Sequence, residues 1–277
     1  LLGHNNYFEV LKPRYEAAIS IDIPYTELFK KMDSEFTSKL KEADKNGVKI
    51  YHGNANHLNY LYNQTKNRYP RDLEYFKRLY NFFDKDNLID FYYSKLDTTE
   101  YLQLTQRLYA EYEQKAYDLN KALISKDGNT DDIMNKKIIV DNEFEKYKIQ
   151  LADATNYLKN YPDGLILSSA LIIKWQKEVY LIIDGYNEEY KFFNARNLLI
   201  WKLIVRYSKL GYTKFNLGGI VNPEKVTQKY QGLNEFKLGF NPNIIEYAGD
   251  FELITNTPLY FMYQRSSNLS NMIKPGN

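Results

Sequence analysis

The chain has 277 residues but no cysteine, three histidines and no long apolar run, and each absence excludes a class of protein. Without cysteine it can form no disulfide framework, Cys-ligated zinc, iron–sulfur cluster or thiol nucleophile. Three histidines argue against a histidine-rich metal centre. No stretch approaches the roughly 18–20 apolar residues of a membrane span, and Leu1-Leu2 lacks the basic region and apolar core of a signal peptide. The sequence therefore predicts a cytoplasmic protein with neither a metal nor a cofactor.

An excess of charge of one sign is also missing. Thirty-seven Lys and Arg stand against 35 Asp and Glu, which leaves a net charge of +2. A protein that binds nucleic acid through its overall charge carries a larger positive excess. The length fits one large domain or two smaller ones of roughly 100–200 residues each. Because the chain starts at Leu1 without methionine, we expect a processed or truncated product.

The spacing of apolar residues predicts an α/β fold on both sides of a long helical segment. Before that segment we expect a strand at 17–23, a helix at 25–45 that Asn46-Gly47 ends, a strand at 48–51, helices at about 55–66 and 72–83, and a strand at 88–93. After it we expect antiparallel strands at 165–174 and 179–184, a helix at 194–210 capped by Gly211, a strand at 214–217 that Gly218-Gly219-Ile220 ends, and a last strand at 244–247.

Residues 100–161 predict an antiparallel helical hairpin. Apolar side chains recur every three or four residues on both sides of the breaker Asp127-Gly128-Asn129, which is the spacing of a coiled-coil seam. Each stretch has one apolar stripe, so we expect the hairpin to project from the body. Nine Lys and Arg and ten Asp and Glu lie between residues 101 and 161. This balance argues against tight RNA binding and favours a spacer or partner-contact role.

Two glycines, Gly218-Gly219, follow a predicted strand. Backbone N–H groups in such a turn can approach a phosphate closely. However, no helix follows at once, and the full glycine patterns of nucleotide-binding loops are absent. A turn at the end of the strand is therefore favoured over a phosphate cradle.

Basic and aromatic residues are interleaved between residues 66 and 80. Such side chains can hold phosphates and stack on bases or sugars. Helical spacing offers a simpler account, in which the apolar side chains face the core and the charges face solvent. By residue type alone the simpler account is favoured. The basic residues are Lys66, Arg68, Arg71, Lys77 and Arg78, and the aromatic ones are Tyr69, Tyr75, Phe76 and Tyr80.

Lys237 is a lone lysine between apolar residues, close to Gly232 and Gly239. Held in a cleft, its ammonium group would stabilise negative charge that develops on a carbonyl or phosphate oxygen. A solvated lysine at a turn explains the same pattern. Residue type and spacing do not separate these two interpretations.

The most specific stretch of the chain is Glu235-Phe236-Lys237-Leu238-Gly239-Phe240, followed by residues 245–251. Residues 71–80, residues 198–202 and residues 215–220 precede it in a fixed order. Taken together, these segments resemble the Fem family of peptidoglycan-bridge aminoacyltransferases. The resemblance covers nearly the whole chain, and its strength lies in the ordered set of motifs.

The resemblance implies an α/β fold of the GNAT (acetyltransferase-like) type, a mixed sheet with helices that an antiparallel hairpin, or coiled-coil arm, interrupts. It also implies transfer of an amino acid from aminoacyl-tRNA to a stem-peptide amino group of a peptidoglycan precursor. The acceptor would be lipid II or UDP-MurNAc-pentapeptide. An aminoacyl ester is already activated, so this reaction needs no enzyme nucleophile, metal or cofactor.

The resemblance also assigns roles to individual residues. Phe236 and Lys237 match the pair at the family's catalytic centre, where the lysine is thought to stabilise the oxyanion or the tRNA end. Arg71 and Tyr75 match residues that bind the nucleotide or diphosphate part of the precursor. We place Tyr186 with these substrate-binding residues.

The resemblance divides the chain into five segments. Residues 1–15 would end a truncated first GNAT-like domain. Residues 16–99 and 162–243 would form the second GNAT-like domain, 100–161 the arm, and 244–277 a segment that packs back on the first domain.

The partners and the alternatives follow from the same resemblance. We expect peripheral contact with the inner face of a bacterial membrane and association with related Fem proteins as homo- or hetero-oligomers. A non-catalytic Fem-like subunit that binds partners through the arm is the alternative. An acetyl-CoA-dependent enzyme is disfavoured because no pyrophosphate-binding loop is present.

Overall fold

The computed structural model describes residues 15–69, 71–125, 129–222, 224, 226–248, 254–262 and 265. The chain divides into two compact units, one that extends to Ile245 and one that begins at Glu246. Predictions for residues 1–14, for Asp127-Gly128 in the breaker and for most of the segment after residue 248 lie outside the described residues. The fold below is that of the first unit, which contains the candidate site.

Most strands and helices lie where the sequence predicts them, but the helix Gln228–Leu238 was not predicted. The strands are β1 (Tyr15–Ser20), β2 (Val48–Gly53), β3 (Ile89–Leu96), β4 (Leu165–Trp175), β5 (Glu178–Tyr186), β6 (Lys214–Ile220) and β7 (Asn243–Glu246). The helices are α1 (Tyr25–Lys31), α2 (Ser34–Lys45), α3 (Leu58–Thr65), α4 (Leu73–Asp84), α5 (Thr98–Ser125), α6 (Thr130–Asn160), α7 (Ala195–Lys209) and α8 (Gln228–Leu238). Short 3₁₀ turns at Ala55–His57 and Glu188–Phe193 precede α3 and α7.

The strands form one mixed sheet of seven strands in the order β2-β3-β4-β5-β6-β1-β7. Neighbours β2–β3, β3–β4, β4–β5 and β1–β6 pair antiparallel, and β5 pairs with β6 in parallel. The predicted mixed α/β architecture is therefore confirmed.

Helices cover both faces of this sheet. Along β3, Ile89 and Phe91 point to one face and Tyr92 to the other, because successive side chains of a strand alternate. The first face packs against α3 and α4 through Leu58 and Phe76. The second face packs against α2 and α7 in a larger cluster of buried side chains. Each helix layer buries the apolar stripe that its sequence spacing predicts.

The sheet splits between β5 and β6. Parallel pairing joins Glu178–Tyr180 of β5 to Lys214–Asn216 of β6, and no pairing between these strands is recorded among the described residues beyond that point. Each strand contains a bulge directly after the paired part: Ile182 is the extra residue opposite β4, and Leu217-Gly218 stand opposite one residue of β1. A bulge bends a strand and increases its twist. The two bulges therefore account for a gap that opens toward the carboxyl ends of both strands.

Gly218 belongs to the bulge of β6, which corrects the prediction that Gly218-Gly219-Ile220 ends the strand. β6 continues to Ile220, and Gly218 has a φ of +78°. Glycine adopts this conformation without the steric cost that a Cβ atom would add. The Gly218 N–H donates to the Asn216 side chain at 2.7 Å, so it is not available to a phosphate. The phosphate-cradle interpretation is therefore not supported.

The single helix predicted at 25–45 is also wrong. Met32 is extended, and the chain restarts as α2 after Asp33. The Asp33 carboxylate accepts hydrogen bonds from the backbone N–H groups of Glu35 and Phe36 at 2.8 and 3.2 Å. A side chain that caps a new helix satisfies N–H groups that a continuous helix would use internally. Apolar spacing alone did not reveal this break.

Helices α5 and α6 form the predicted hairpin. Ring contacts pair Tyr101 with Tyr157 and Tyr112 with Tyr147, at centroid distances of 6.4 and 5.0 Å. Residue numbers rise along one helix and fall along the other, so the helices run antiparallel. The base of the hairpin is buried in the larger core through Tyr101 and Ala154. Toward the other end of the hairpin, side chains such as that of Ile124 are exposed.

One buried polar cluster joins α7 to the sheet. The Tyr207 hydroxyl donates to Asp90 of β3 at 2.5 Å, and the Lys174 ammonium of β4 contacts the same carboxylate at 3.0 Å. His52 of β2 lies 3.4 Å from Asp90. Burial and the nearby Asp90 charge raise the pKa of Tyr207. Asp90 therefore balances the charge of a buried ammonium and accepts a hydrogen bond from a buried hydroxyl.

We expect Asp90→Asn to lower the free energy of unfolding by about 3 kcal/mol, because it leaves the buried Lys174 ammonium without a counter-charge. Chemical denaturation followed by tryptophan fluorescence measures this change. The matched control is Asp44→Asn, which removes a surface carboxylate 2.9 Å from the Lys202 ammonium and should cost less than about 1 kcal/mol. Equal effects of the two substitutions would contradict the role of Asp90.

Candidate functional site

Helix α8 lies against the end of β6, where two of its side chains hold it. The buried Asn234 side chain accepts from the Val221 N–H at 3.1 Å and donates to the Val221 carbonyl at 2.8 Å. One turn later, the Lys237 ammonium donates to the Gly219 carbonyl at 2.7 Å. Residues three apart lie on the same face of a helix, so Asn234 and Lys237 reach the end of β6 and the residue that follows it.

The end of α8 packs closely on α2. A Cβ atom on Gly239 would lie 2.3 Å from the Phe36 ring. Any residue other than glycine would therefore displace this ring. Phe36 and Phe240 make an edge contact at a centroid distance of 4.7 Å. The glycine that follows Lys237 in the motif therefore permits the close approach that orients this helix.

Lys237 is buried in the gap between β5 and β6. It is 7% exposed, and its ammonium lies 3.6 Å from the position that a Cβ atom on Gly218 would occupy. The pKa of Lys237 is lowered to about 8, mainly by burial; the nearby Arg196 also lowers it, while Asp184 and Glu16 act in the opposite direction. Of the two interpretations of this lysine, the solvated turn is wrong. Near neutral pH the group is still mainly charged, inside the protein.

Phe236 forms one side of a stack of aromatic rings and guanidinium groups. The Arg196 guanidinium carbon lies 3.5 Å from the centroid of the Phe236 ring and 5.0 Å from that of Tyr186. Arg68 lies 4.6 Å from the centroid of Tyr186. Cations close to aromatic rings are held by the ring quadrupole. Phe236, Arg196, Tyr186 and Arg68 therefore form a continuous row.

Asp184 anchors this row. Its carboxylate accepts a hydrogen bond from the Arg196 Nε, and the two side chains are mostly buried, with 11% and 16% of their surface exposed. Asp184 lies two residues after the bulge of β5, and Arg196 lies in the first turn of α7. The bulge and the start of α7 thus bring a carboxylate and a guanidinium group together next to Lys237.

Two cavities meet at the end of β5, and Tyr186 and Asn187 line both of them. The first, of about 580 Å³, is lined by Arg196 and Phe236. The second, of about 590 Å³, is lined by Arg68 and by Tyr161 at the base of the hairpin. Burial and a hydrogen bond to Glu188 raise the pKa of Tyr186. A ligand that extends along this end of the sheet would therefore pass Tyr186.

Arg71 and Tyr75 lie at the start of α4, on the opposite face of the sheet from α7. The Arg71 guanidinium carbon is 5.3 Å from the Tyr75 ring centroid and 5.7 Å from that of Tyr69. Asp72 caps α4 by accepting from the Tyr75 N–H at 2.6 Å. Leu73, Phe76, Leu79 and Tyr80 join the smaller core, so the simpler account of this segment is confirmed for the apolar residues. Arg71 and Tyr75 form a second group beside that core.

The structure thus brings together three of the five predicted site residues, Phe236, Lys237 and Tyr186. Sequence reasoning missed Arg196 and Asp184 as site residues. An arginine in the first turn of a helix opposes the helix dipole, and an aspartate interrupts an apolar strand. These two irregularities were the available signals, but they lie 12 residues apart, and nothing in the sequence pairs them.

Among the described residues, no group of three or more His, Asp and Glu is placed to hold a metal ion. The helices of the described part of the chain include none that is long and apolar enough to cross a membrane.

The comparisons with known proteins agree with one another. A model of the FemAB family matches residues 3–267. A lipid II:glycine glycyltransferase of Staphylococcus epidermidis is 26% identical over 265 residues, which are 93% of this chain and 62% of that protein. The aminoacyltransferase FemA of the same species is 24% identical over 275 residues, 96% of this chain and 65% of that protein. A crystal structure of FemX shares the fold, with a TM-score of 0.67, 22% identity and coverage of 91% and 64% of the two chains. The chain spans less than two thirds of each of these proteins.

The burial of Lys237 predicts a pH-dependent cost in stability. The folded chain releases the Lys237 proton near pH 8, whereas the unfolded chain holds it to about 10.5. The unfolded state therefore binds more protons between these values, and the cost, about 3 kcal/mol at pH 7, disappears as the pH rises through this window. At pH 7 we expect Lys237→Met to have a higher free energy of unfolding than wild type. Denaturation of both proteins from about pH 7 to pH 10 should show this difference shrinking as the pH rises. The exposed control Lys177→Met should show no such trend, and equal trends would contradict the burial of a charged Lys237.

Proposed function

The chain belongs to the FemAB family, and from this we propose that it carries the catalytic centre of an aminoacyltransferase that builds peptidoglycan bridges. The proposed reaction moves an amino acid from aminoacyl-tRNA to the stem-peptide amino group of lipid II or UDP-MurNAc-pentapeptide. The glycyltransferase of S. epidermidis is named for lipid II and glycine, which supports the acceptor class. The chain spans only part of the length of its relatives. The activity of the whole protein is therefore also a proposal.

One observation carries the proposal: a charged lysine is buried next in sequence to Phe236, which lines an open cavity, and no carboxylate of the described residues accepts a hydrogen bond from it. The Lys237 ammonium donates instead to the Gly219 carbonyl. A carbonyl is a weaker partner than a carboxylate, so the ammonium can exchange it for a developing oxyanion. A buried charge of this kind costs stability, which favours a functional role over a structural one.

The proposed chemistry needs one tetrahedral intermediate. The acceptor amine attacks the ester carbonyl of the aminoacyl-tRNA, and the carbonyl oxygen becomes negative. Protonated Lys237 stabilises this oxyanion in a site of low polarity, where such stabilisation is strongest. When the intermediate collapses, the C–O bond to the ribose breaks, the ribose oxygen takes up a proton, and the amine loses one. The new amide leaves with the acceptor.

The cavity beside Phe236 is the proposed place for the donor end of the tRNA. Its lining includes Lys39, Lys191 and Arg196, of which Lys39 is paired with Glu35 and Arg196 with Asp184. Basic side chains of this kind can contact the phosphates of a nucleic acid. The Phe236 and Tyr186 rings add surfaces on which a base can stack. Arg71 and Tyr75 are the proposed contacts of the nucleotide or diphosphate part of the acceptor.

We also propose three finer features of the architecture. These are a GNAT-like sheet, the segment boundaries given by the resemblance, and a coiled-coil arm formed by α5 and α6 with a spacer or partner-contact role. Helices on both faces of a mixed sheet support the first of these. A site at the inner face of the bacterial membrane, with peripheral contact and Fem partners, would bring the enzyme to a lipid-linked acceptor.

Lys237→Met should reduce transfer by about 10²–10³-fold, because it removes the group that stabilises the oxyanion. The assay uses the protein encoded by the complete reading frame around this chain, labelled aminoacyl-tRNAs and either acceptor. Since the protonated lysine is the active form, wild-type transfer should fall as the pH rises through about 8. Lys177→Met, at the other end of β5, is the control. If wild type shows no tRNA-dependent transfer, the non-catalytic alternative replaces this proposal.

Arg71→Ala should raise the KM for the acceptor about tenfold or more and leave the KM for aminoacyl-tRNA unchanged, because a guanidinium bond to a diphosphate is lost. Steady-state kinetics with UDP-MurNAc-pentapeptide measures both values. Lys77→Ala, on the helix that follows Arg71 and paired with Glu74 at 2.8 Å, is the matched control. An equal change in the two KM values would contradict a role of Arg71 in acceptor binding.

A further inference from the structure

We propose that the Asp184–Arg196 pair is a positioning element of the site, which holds a planar cation against Phe236 and balances the charge beside Lys237. Neither residue touches the reacting atoms in this scheme. The consequence for transfer rests on the proposed function, whereas the positioning itself can be measured without substrate.

The Asp184–Arg196 pair lies where general rules of helix capping and ion-pair burial disfavour it. The first turn of α7 contains Arg196 and no acidic residue, although the positive end of the helix dipole repels a cation there. Asn194, the cap residue, has a φ of +52° and makes no capping hydrogen bond from its side chain. Burying an ion pair costs desolvation that apolar side chains of similar size would avoid. Stability alone therefore does not explain Arg196.

The pair also holds the stack of rings and guanidinium groups in place. The guanidinium of Arg196 lies between Phe236 and Tyr186, at 3.5 and 5.0 Å from their ring centroids. The bond from its Nε to Asp184 leaves the plane of the group fixed relative to β5. A guanidinium is planar and stacks on rings, whereas an ammonium is a point charge on a flexible stem. The pair thus connects the orientation of β5 to the position of Phe236 and the adjacent Lys237.

The pair contributes to the charge balance around Lys237. The charged groups that face it come from three elements: Asp184 from β5, Arg196 from α7 and Glu16 from β1. Glu16 accepts a hydrogen bond from the Asn216 side chain at 2.7 Å. Without Asp184, Arg196 and Lys237 would be two neighbouring cations in a buried site. The carboxylate therefore allows both cations to remain charged.

The test is the titration of Lys237 by NMR, in the 277-residue chain with lysine labelled at the ε-carbon. The Lys237 signal is assigned by its loss in Lys237→Met. The variants are Asp184→Asn and Arg196→Gln, which remove opposite charges and keep similar shapes. Glu178→Gln is the matched control, since it removes a carboxylate from the other end of β5, where Glu178 pairs with Lys214 at 3.2 Å.

We expect opposite shifts of the Lys237 titration in the two variants. Asp184→Asn should move it to lower pH, since a stabilising negative charge is lost, and Arg196→Gln should move it to higher pH, since a repelling positive charge is lost. Glu178→Gln should leave it in place. Shifts in the same direction, or no shift in either variant, would overturn the proposal. If Asp184→Asn does not fold, Arg196→Gln alone decides: a shift to higher pH supports the proposal, and no shift overturns it.

Arg196→Lys separates positioning from charge. It keeps the positive charge but not the planar group, so the titration of Lys237 should stay close to wild type. In the transfer assay its kcat should fall on the order of 10²-fold, as expected for misplaced reacting groups, with a smaller change in KM. If Arg196→Lys keeps the kcat of wild type, the stack does not position the reacting groups. If the titrations behave as expected but the wild-type protein transfers no amino acid, the proposed function fails and the positioning of Lys237 stands.

Discussion

The site depends on one constraint, which is that a lysine ammonium is kept charged inside the protein. Burial lowers the pKa of Lys237 to about 8, so the fold gives up stability to hold it there. The gap between β5 and β6 makes the room, because both strands bulge after their last paired residues. The Gly219 carbonyl then accepts a hydrogen bond from the ammonium. Without this gap between β5 and β6, the Lys237 side chain of α8 would have to extend into solvent.

The neighbouring residues limit the cost of this buried charge. Asp184 and Glu16 supply negative charge on the two sides of the gap, and Arg196 opposes them. Asn234 anchors α8 one turn before the lysine, so the approach of the ammonium is set by backbone contacts. The same helix carries Phe236 into the stack with Arg196 and Tyr186. Electrostatic balance and helix position are therefore coupled in this site.

Local sequence rules predicted most of the elements. Alternation and helical spacing identified the strands and helices that now form the sheet and its two layers, because each of these elements buries one periodic face. The rules failed at 25–45, where Asp33 caps a new helix, and at Gly218, where a bulge continues the strand. Both errors concern single residues whose hydrogen bonds override the apolar pattern. The candidate site was predicted in part, through Lys237, Phe236 and Tyr186, and its other buried members were not.

The sequence by itself determined the α/β elements, the helical hairpin and the resemblance on which family membership was first inferred, since these depend on spacing and order along the chain. It left open whether Lys237 is solvated or held in a cleft. Only the tertiary structure decided this, because burial, the split of the sheet and the facing charges come from β1, β5, β6 and α7 together. The pairing of Asp184 with Arg196 has the same origin. Long-range packing decides such contacts, and no local pattern of residues encodes it.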